Sequence, residues 1–316
     1  MITVRLAELS DVEGISCVHR SDITHWVKQI TREDGLTATE PSQWSELTLA
    51  DRWNHGGPWM SPELCMIHLN RLRLLDQFPL VAEQNGRIVG ELEMIVGDDA
   101  EFGINANLSV LYVDRALQGQ GIGSLLMNDA IDLAQEIGCH TVTTYAPAVP
   151  AFYQRFGLEP VSTYSELTIA TSAAQPALAV RRTRYPEWAK VADLPLLFGR
   201  ILSSYQTWLQ LDGEREPGLY AIPMHSRPAA MDFSVTLPQG RAYVALRDIS
   251  GQYEEAAVHA WSPSYEPELI ATILAQARRL GIARLRFLMD PNLATVVQKQ
   301  FTAEPTGSVP IYNREL

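Results

Sequence analysis

The spacing of apolar residues changes between residues 108 and 138. Residues 108–113 are mostly β-branched, aromatic or leucine side chains and end at Asp114, a pattern typical of a strand. From Ile122 the apolar positions recur about every 3.6 residues, and Gly138 follows the last of them, as in an amphipathic helix that ends at a glycine. We therefore predict a strand, a glycine-rich loop and a helix in that order.

Further elements before this stretch are predicted from the same kind of pattern. Residues 2–6 favour a strand, and a helix is expected from Asp11 to about Trp26, capped by Ser10 with Glu13 three residues later. A second helix is expected to begin after Ser61, with proline at its first position. The tryptophan-rich excursion over residues 27–78, which contains this helix, interrupts the regular alternation of strands and helices.

An alternating pattern from Pro79 to Val96, interrupted by Asn85-Gly86, predicts a β-hairpin. On its second strand Glu91 and Glu93 fall on one face because side chains alternate along a strand. The sequence leaves two interpretations of these carboxylates open. They either face solvent or line a cleft for a substrate.

The predicted loop contains glycine at positions 119, 121 and 123. Backbone N–H groups at the start of a helix, with no side chains in front of them, form a site for an anion such as phosphate. A dinucleotide-binding fingerprint would need glycine where Ser124 stands, and a Walker loop would need Gly-Lys-Ser/Thr. Both are excluded, although a tight turn that only brings helix and strand together stays open.

The hexapeptide that begins at Gln118 reads Gln-Gly-Gln-Gly-Ile-Gly and follows a Leu-Tyr-Val strand end. It resembles the Gln/Arg-x-x-Gly-x-Gly/Ala loop of the GCN5-related N-acetyltransferase (GNAT) family. That resemblance implies that the loop holds the pyrophosphate of coenzyme A, with acetyl-CoA as the acyl donor. The cofactor-binding residues that it implies are Leu111, Tyr112, Val113, Gln118, Gly119, Gln120, Gly121, Ile122, Gly123 and Ser124.

Residues 146–158 resemble the family's Asn-x-x-Ala-x-x-Phe-Tyr-x-x-x-Gly-Phe segment, with Ala146 and Val149 as departures. The resemblance implies that Tyr153 is the general acid that protonates the departing thiolate; a core aromatic is the alternative. The glutamate that serves several family members as a base is replaced by Asn107. We therefore expect either a water held by Asn107 or Ser109, or direct help from Glu93.

Part of this pattern repeats near the C-terminus. Leu133-Ala-Gln-Glu-Ile-Gly and a later Glu-Pro are echoed by Leu274-Ala-Gln-Ala-Arg-Arg-Leu-Gly and Glu304-Pro305. We predict an α/β (α+β) chain of two tandem acetyltransferase-like domains, as in mycothiol synthase relatives. Each domain has a mixed, mostly antiparallel sheet flanked by helices. The expected boundaries are 1–172, which includes the 27–78 insertion, and 177–316, after a small-residue linker.

The second copy lacks the glycine loop. Alignment of the two helix-ending glycines places residues 262–267, Ser-Pro-Ser-Tyr-Glu-Pro, where the first copy has Gly119 to Ser124. Two prolines remove N–H donors, and Glu266 would repel a pyrophosphate. We therefore expect the second domain to be degenerate and to bind no coenzyme A.

Charge and composition limit the partners. The net charge is −12, and it is uneven: 10 basic and 23 acidic residues precede or include Ala170, and 15 and 14 follow it. An acidic first half disfavours nucleic acid and favours a cationic acceptor. The three cysteines show no metal-ligand spacing, and no apolar run reaches the length of a membrane span. We therefore expect a cytoplasmic protein without a metal, as a monomer or homodimer.

Together these patterns predict an acyltransferase. The expected reaction moves an acetyl group directly from acetyl-CoA to a primary amine, on a small molecule, within a ternary complex. A non-catalytic module that binds acyl-CoA and regulates a partner is the alternative, because such a module needs only the glycine loop.

Overall fold

The computed structural model describes residues 1–31, 37–99, 101–200, 203–213, 231–248 and 254–316. Its strands are β1 (Ile2–Leu6), β2 (Trp26–Thr31), β3 (Thr37–Ser42), β4 (Phe78–Gln84), β5 (Arg87–Asp99), β6 (Gly103–Val113), β7 (Thr141–Tyr145), β8 (Glu159–Ala170), β9 (Val180–Arg182), β10 (Leu196–Phe198), β11 (Met231–Leu237), β12 (Gly240–Asp248), β13 (Glu255–Trp261), β14 (Arg284–Met289) and β15 (Ala303–Glu315). Its α-helices are α1 (Val12–Arg20), α2 (Leu49–Asn54), α3 (Pro62–Leu74), α4 (Ile122–Glu136), α5 (Pro150–Gln154), α6 (Ser204–Gly213), α7 (Pro267–Arg279) and α8 (Pro291–Gln300).

One 13-stranded sheet runs through both halves of the chain, in the order β1-β4-β5-β6-β7-β15-β8-β14-β13-β12-β11-β9, with β10 paired to β13. Neighbouring strands are antiparallel except for the parallel pairs β6–β7 and β13–β14. Strands β2 and β3 form a separate hairpin. The predicted fold class, a mixed and mostly antiparallel sheet flanked by helices, is confirmed.

At the centre of this sheet each half pairs one of its strands, β8 or β15, with strands of the other half. The last strand, β15, lies between β7 and β8, where Ile311 pairs with Tyr145 and Ala303 pairs with Ile169. Strand β8 in turn pairs with β14, so Ile169 also stands opposite Leu285. The proposed domains 1–172 and 177–316 are therefore joined by main-chain hydrogen bonds, although residues 171–179 between them contain no helix or strand.

The first half has helices on both faces of the sheet. Helix α4 covers a face that buries Leu92, Met94 and Leu108, while α1 and α3 cover the opposite face at Val81 and Ile88. Because side chains alternate along a strand, neighbouring residues of β5 and β6 point to different helices. In the described residues no helix is long and apolar enough to cross a membrane.

Most local predictions agree with the structure, and one is wrong. The hairpin turns at Asn85-Gly86, Gly138 adopts a left-handed φ of 81°, and Ser61 caps α3. The helix predicted from Asp11 to Trp26 instead begins at Val12 and ends at Arg20. The predicted cap by Ser10 is also absent: a reciprocal cap between Glu8 and Asp11 closes the preceding 3-10 turn, Leu9–Asp11, in which the Asp11 carboxylate accepts the N–H of Glu8 at 2.8 Å.

Candidate active site

The glycine loop joins the end of β6 to the start of α4. Asp114 accepts the N–H of Ala116 at 3.0 Å, and the Gln118 side chain donates to the carbonyl of Val113 at 3.2 Å. Gly119 and Gly121 have φ values of 78° and 86°, and a Cβ added at either would meet no atom within 4 Å. No side chain that the structure describes caps the start of α4. The N–H groups there are open to an anion.

The loop opens onto a cleft between β6 and β7. Their parallel pairing stops at Asn107 and Thr143, while β6 continues to Val113 beside β5. Beyond Asn107, one edge of β6 therefore has no strand partner in the described part of the chain, and α5 lies across the gap. The resulting cavity has a volume of about 520 Å³, within the range of small-molecule sites. Its lining residues are Leu111, Val113, Leu117, Gln118, Gly119, Gly121, Ile122, Gly123, Ser124, Ala148, Val149, Phe152, Tyr153 and Arg155.

The cavity suits a donor such as acetyl-CoA, with a phosphate group and an apolar arm. Its open N–H groups stand at the start of α4, and its walls include the apolar side chains of β6 and α5. Of the predicted cofactor-binding residues, Tyr112 and Gln120 do not line it. Tyr112 lies on the other face of β6, and its ring centroid is 4.2 Å from that of His19.

Sequence reasoning missed Arg155. This arginine lines the cavity and lies over the ring of Phe152, 5.2 Å from its centroid. The sequence offered one indication of this role, which is that Arg155 follows Tyr153 by two residues. It adds a cation to a wall that otherwise offers only backbone donors and neutral side chains.

Tyr153 lies on α5 and lines the same cavity. Its ring packs edge-on against Phe152 at 5.2 Å. Burial raises the pKa of its phenol, so the hydroxyl is protonated at neutral pH. In the described part of the chain this hydroxyl has no hydrogen-bond partner. The Tyr153 side chain thus lies at the cleft, and no described polar group is hydrogen-bonded to its hydroxyl.

Glu91 and Glu93 are both buried, which excludes the interpretation that they face solvent. Glu91 contacts Nε2 of His19. Glu93 is 2.8 Å from Nε2 of His68 and accepts the indole N–H of Trp59 at 2.8 Å. The carboxylates therefore form one buried network with α1, α3 and the 27–78 insertion.

The two carboxyl groups have opposite pKa shifts. Burial raises the pKa of Glu91, and His19 only partly offsets it. Burial also tends to raise the pKa of Glu93. The charge and hydrogen bond of His68, together with the hydrogen bond from Trp59, outweigh this effect and hold the pKa of Glu93 below its usual range. The pKa of His68 is raised, since Glu93 outweighs the effect of burial. Glu93 and His68 consequently favour an ion pair.

Neither histidine of this network was singled out from the sequence. His19 lies 72 residues from Glu91, and His68 lies 25 residues from Glu93. The helical period of α1 and α3 shows which residues share a face, but not which strand that face meets. His68 retains 14% of its side-chain exposure, whereas His19 retains 1%.

Asn107 marks the point where β6 and β7 separate. Its amide donates to Thr143 at 2.7 Å, and its buried Oδ1 has no partner in the described residues. Ser109 is the extra residue of a bulge opposite Glu93, and its hydroxyl donates to the Glu93 carbonyl at 3.3 Å. Ser109 therefore contacts the main chain of the carboxylate network, and neither side chain lines the cavity.

The corresponding gap in the second half is filled by the chain itself. Pairing of β13 and β14 stops at Val258 and Phe287, and beyond it β10 pairs with Ala260 and Trp261. Phe198 of β10 is fully buried, 5.2 Å from the ring of Phe287. In addition, α7 begins with Glu266 as its N-cap and Pro267. Among its described residues, the second half thus has no counterpart of the open glycine loop or of the cleft between β6 and β7.

Comparison with known proteins gives one family match. Residues 76–160 match the model described as an acetyltransferase (GNAT) domain, a segment that spans the hairpin, the glycine loop and Tyr153. No curated protein sequence matches the chain.

Solved structures resemble the whole chain. A GCN5-related N-acetyltransferase from Kribbella flavida is 13% identical, with a TM-score of 0.63, and the match covers all of this chain and 71% of that one. One from Anabaena variabilis is 12% identical, with a TM-score of 0.63, covering 100% and 73%. A tandem GNAT protein from the clavulanic acid biosynthesis pathway is 15% identical, with a TM-score of 0.54, covering 100% and 98%. Residues 76–160 therefore match a GNAT acetyltransferase domain, and the chain as a whole has the fold of these GNAT structures.

Proposed function

We propose that the chain transfers an acetyl group from acetyl-CoA to a primary amine of a small molecule, directly and within a ternary complex. The observation that carries this proposal is the open cleft between β6 and β7, which the glycine loop bounds on one side and Tyr153 on the other. The family match supports the acyl donor, and the residues of the cleft support the way it is held.

The donor is held at the start of α4. Backbone N–H groups from Gly119 to Ser124 would bind its pyrophosphate, where the helix dipole favours negative charge. Arg155 supplies a cation to the same wall. Alternate backbone groups of β6, at Leu111 and Val113, would orient the pantetheine arm along the unpaired edge of that strand.

The acceptor enters from the face of β6 opposite the helix α4. There the buried carboxylates of Glu91 and Glu93 lie beside the rings of Trp59 and Tyr112. Carboxylates and aromatic faces both attract an ammonium group. This arrangement, together with the acidic balance of the first half, supports a cationic amine as acceptor.

The amine must lose a proton before it attacks. An alkyl amine with a pKa of ~10.4 is deprotonated at pH 7 at a cost of roughly 4 to 5 kcal/mol. In this proposal the neutral form of His68, whose share grows as the pH rises through its raised pKa, accepts that proton, and Glu93 orients the imidazole. A base is most effective when its pKa lies near the working pH. Asn107 and Ser109 would hold a water that relays the proton.

The departing thiolate then needs a proton. The phenol of Tyr153 lines the cleft and is protonated at neutral pH, so it donates to the sulfur. The balanced reaction converts acetyl-CoA and an amine into an amide and free coenzyme A. An ammonium acceptor loses two protons on becoming the amide: one passes through His68 to solvent, and the other, by way of solvent, restores the proton that Tyr153 gives to the sulfur.

A screen of pooled primary amines with acetyl-CoA, read as release of free thiol, tests the proposal. Gly121→Glu, which places a carboxylate in the loop, is expected to lose turnover and acetyl-CoA binding. Gly138→Glu is the matched control, since Gly138 has a similar φ of 81° and no atom within 4 Å of an added Cβ. It lies at the other end of the 15-residue α4, about 22 Å away. Binding of acetyl-CoA without thiol release for any amine would favour the non-catalytic module.

A further inference from the structure

The second half has a cavity of its own, far along the sheet from the glycine loop. It has a volume of about 660 Å³ and shares no lining residue with the cleft of the first half. The segment between β9 and β10, the helix α6 and the start of β12 form its walls. Neither the family match, which ends at residue 160, nor the proposed reaction uses it.

Aromatic side chains make up much of this cavity. Tyr185, Trp188, Trp208 and Tyr243 all line it. The indole of Trp208 donates to the Pro186 carbonyl at 2.8 Å, and the Tyr185 hydroxyl donates to the Trp208 carbonyl at 3.1 Å. These two bonds tie the segment before β10 to α6. The aromatic walls are therefore fixed before any ligand arrives, which lowers the entropy cost of binding.

Cationic side chains surround the same cavity. Arg184, Lys190 and Arg241 line it, against a single carboxylate, that of Glu187, which lies 3.5 Å from Lys190. Among the described residues, neither Arg184 nor Arg241 has an ion-pair partner. Both arginines are exposed, and their guanidinium groups stand beside the aromatic wall, where they are available to a negative charge that enters the cavity.

We propose that this cavity binds a small planar anion, an aromatic or heteroaromatic ring that carries a carboxylate, sulfonate or phosphate. The ring packs against Trp188 and Trp208, and the negative group faces Arg184 and Arg241. The site is independent of acyl transfer, because its residues belong to the half that lacks the glycine loop. If no anion binds in this cavity, the proposed acyl transfer in the first half is unaffected.

Two fluorescent probes that share one scaffold test this site. Anilinonaphthalene sulfonate is anionic, and N-phenylnaphthylamine is its uncharged counterpart. Both are titrated into the full chain in saturating coenzyme A, which blocks the first cleft, and binding is read from probe emission excited through tryptophan. We expect one anionic probe per chain and about tenfold weaker binding of the neutral one, since a lost charge-assisted contact is worth at least a factor of ten.

Charge-reversal variants then locate the probe. Arg184→Glu and Arg241→Glu should each weaken the anionic probe about tenfold or more. Arg181→Glu is the matched control, because Arg181 is an exposed arginine on β9 that does not line the cavity. Retained coenzyme A binding verifies that each variant is folded. The proposal is overturned by absence of the bound anion in saturating coenzyme A, or by equal effects of Arg181→Glu and Arg241→Glu.

Discussion

Replacement of Tyr153 by phenylalanine separates a chemical role from a packing role. The substitution keeps the ring against Phe152 and removes a hydroxyl that has no partner in the described residues. No buried donor or acceptor is left unsatisfied, so the free energy of unfolding should change by less than about 0.5 kcal/mol. The melting temperature should therefore shift by less than about 2 °C.

The rate should respond far more. Loss of a general acid typically slows a reaction about 10²- to 10⁴-fold, which is an increase of about 2.7 to 5.4 kcal/mol in the activation barrier. Burial raises the pKa of Tyr153, so the wild-type acid should remain active through neutral pH. Stopped-flow measurement of kcat from thiol release, with acetyl-CoA affinity measured separately, tests both expectations.

Tyr145→Phe is the control for this experiment. Tyr145 is also a half-buried tyrosine whose pKa burial raises, but it does not line the cleft. Its replacement should leave kcat unchanged. If Tyr153→Phe also leaves kcat unchanged while chemistry limits the rate, the tyrosine is a packing residue and solvent donates the proton.

Other measurements address the remaining features. Calorimetry should give one coenzyme A per chain because Phe198 fills the second gap; two equivalent sites would contradict this. The value of kcat/KM should rise as pH passes through the raised pKa of His68, and an unchanged profile in His68→Gln would place the base elsewhere. Burial lowers the pKa of His259 from 6.5 to about 4. The free energy of unfolding should therefore fall by up to ~3 kcal/mol as pH drops through this window, since the unfolded histidine takes up the proton first. Urea titrations that show the same decline in His259→Gln would refute that assignment.

Local features of the first half could be predicted because neighbouring residues determine them. The turn at Asn85-Gly86 and the left-handed Gly138 follow from the conformations that asparagine and glycine allow. The glycine loop was identified because the alternating pattern of a strand ends just before it and the 3.6-residue pattern of a helix begins just after it. Each signal lies within a few residues of the structure that it predicts.

Contacts between distant segments could not be predicted in this way. The pairing of His68 with Glu93 depends on how α3 packs on β5, which no local period specifies. The same holds for β10, whose three residues occupy the second gap although they precede β13 by more than fifty positions. The sequence indicated that the second loop was unsuitable for a phosphate but gave no sign of what closes the cleft.

Strand β15 sets the order in which the protein can be completed during synthesis. Its residues leave the ribosome well after those of the first half, yet it pairs with β7 and its Arg314 donates to the carbonyl of Phe156 at 2.8 Å, just after α5. A nascent chain that has already made the glycine loop therefore has an open sheet edge beside β7. Exposed edges pair with other chains. Translation that stops before residue 303 should leave a fragment that aggregates or is degraded rather than one that binds coenzyme A.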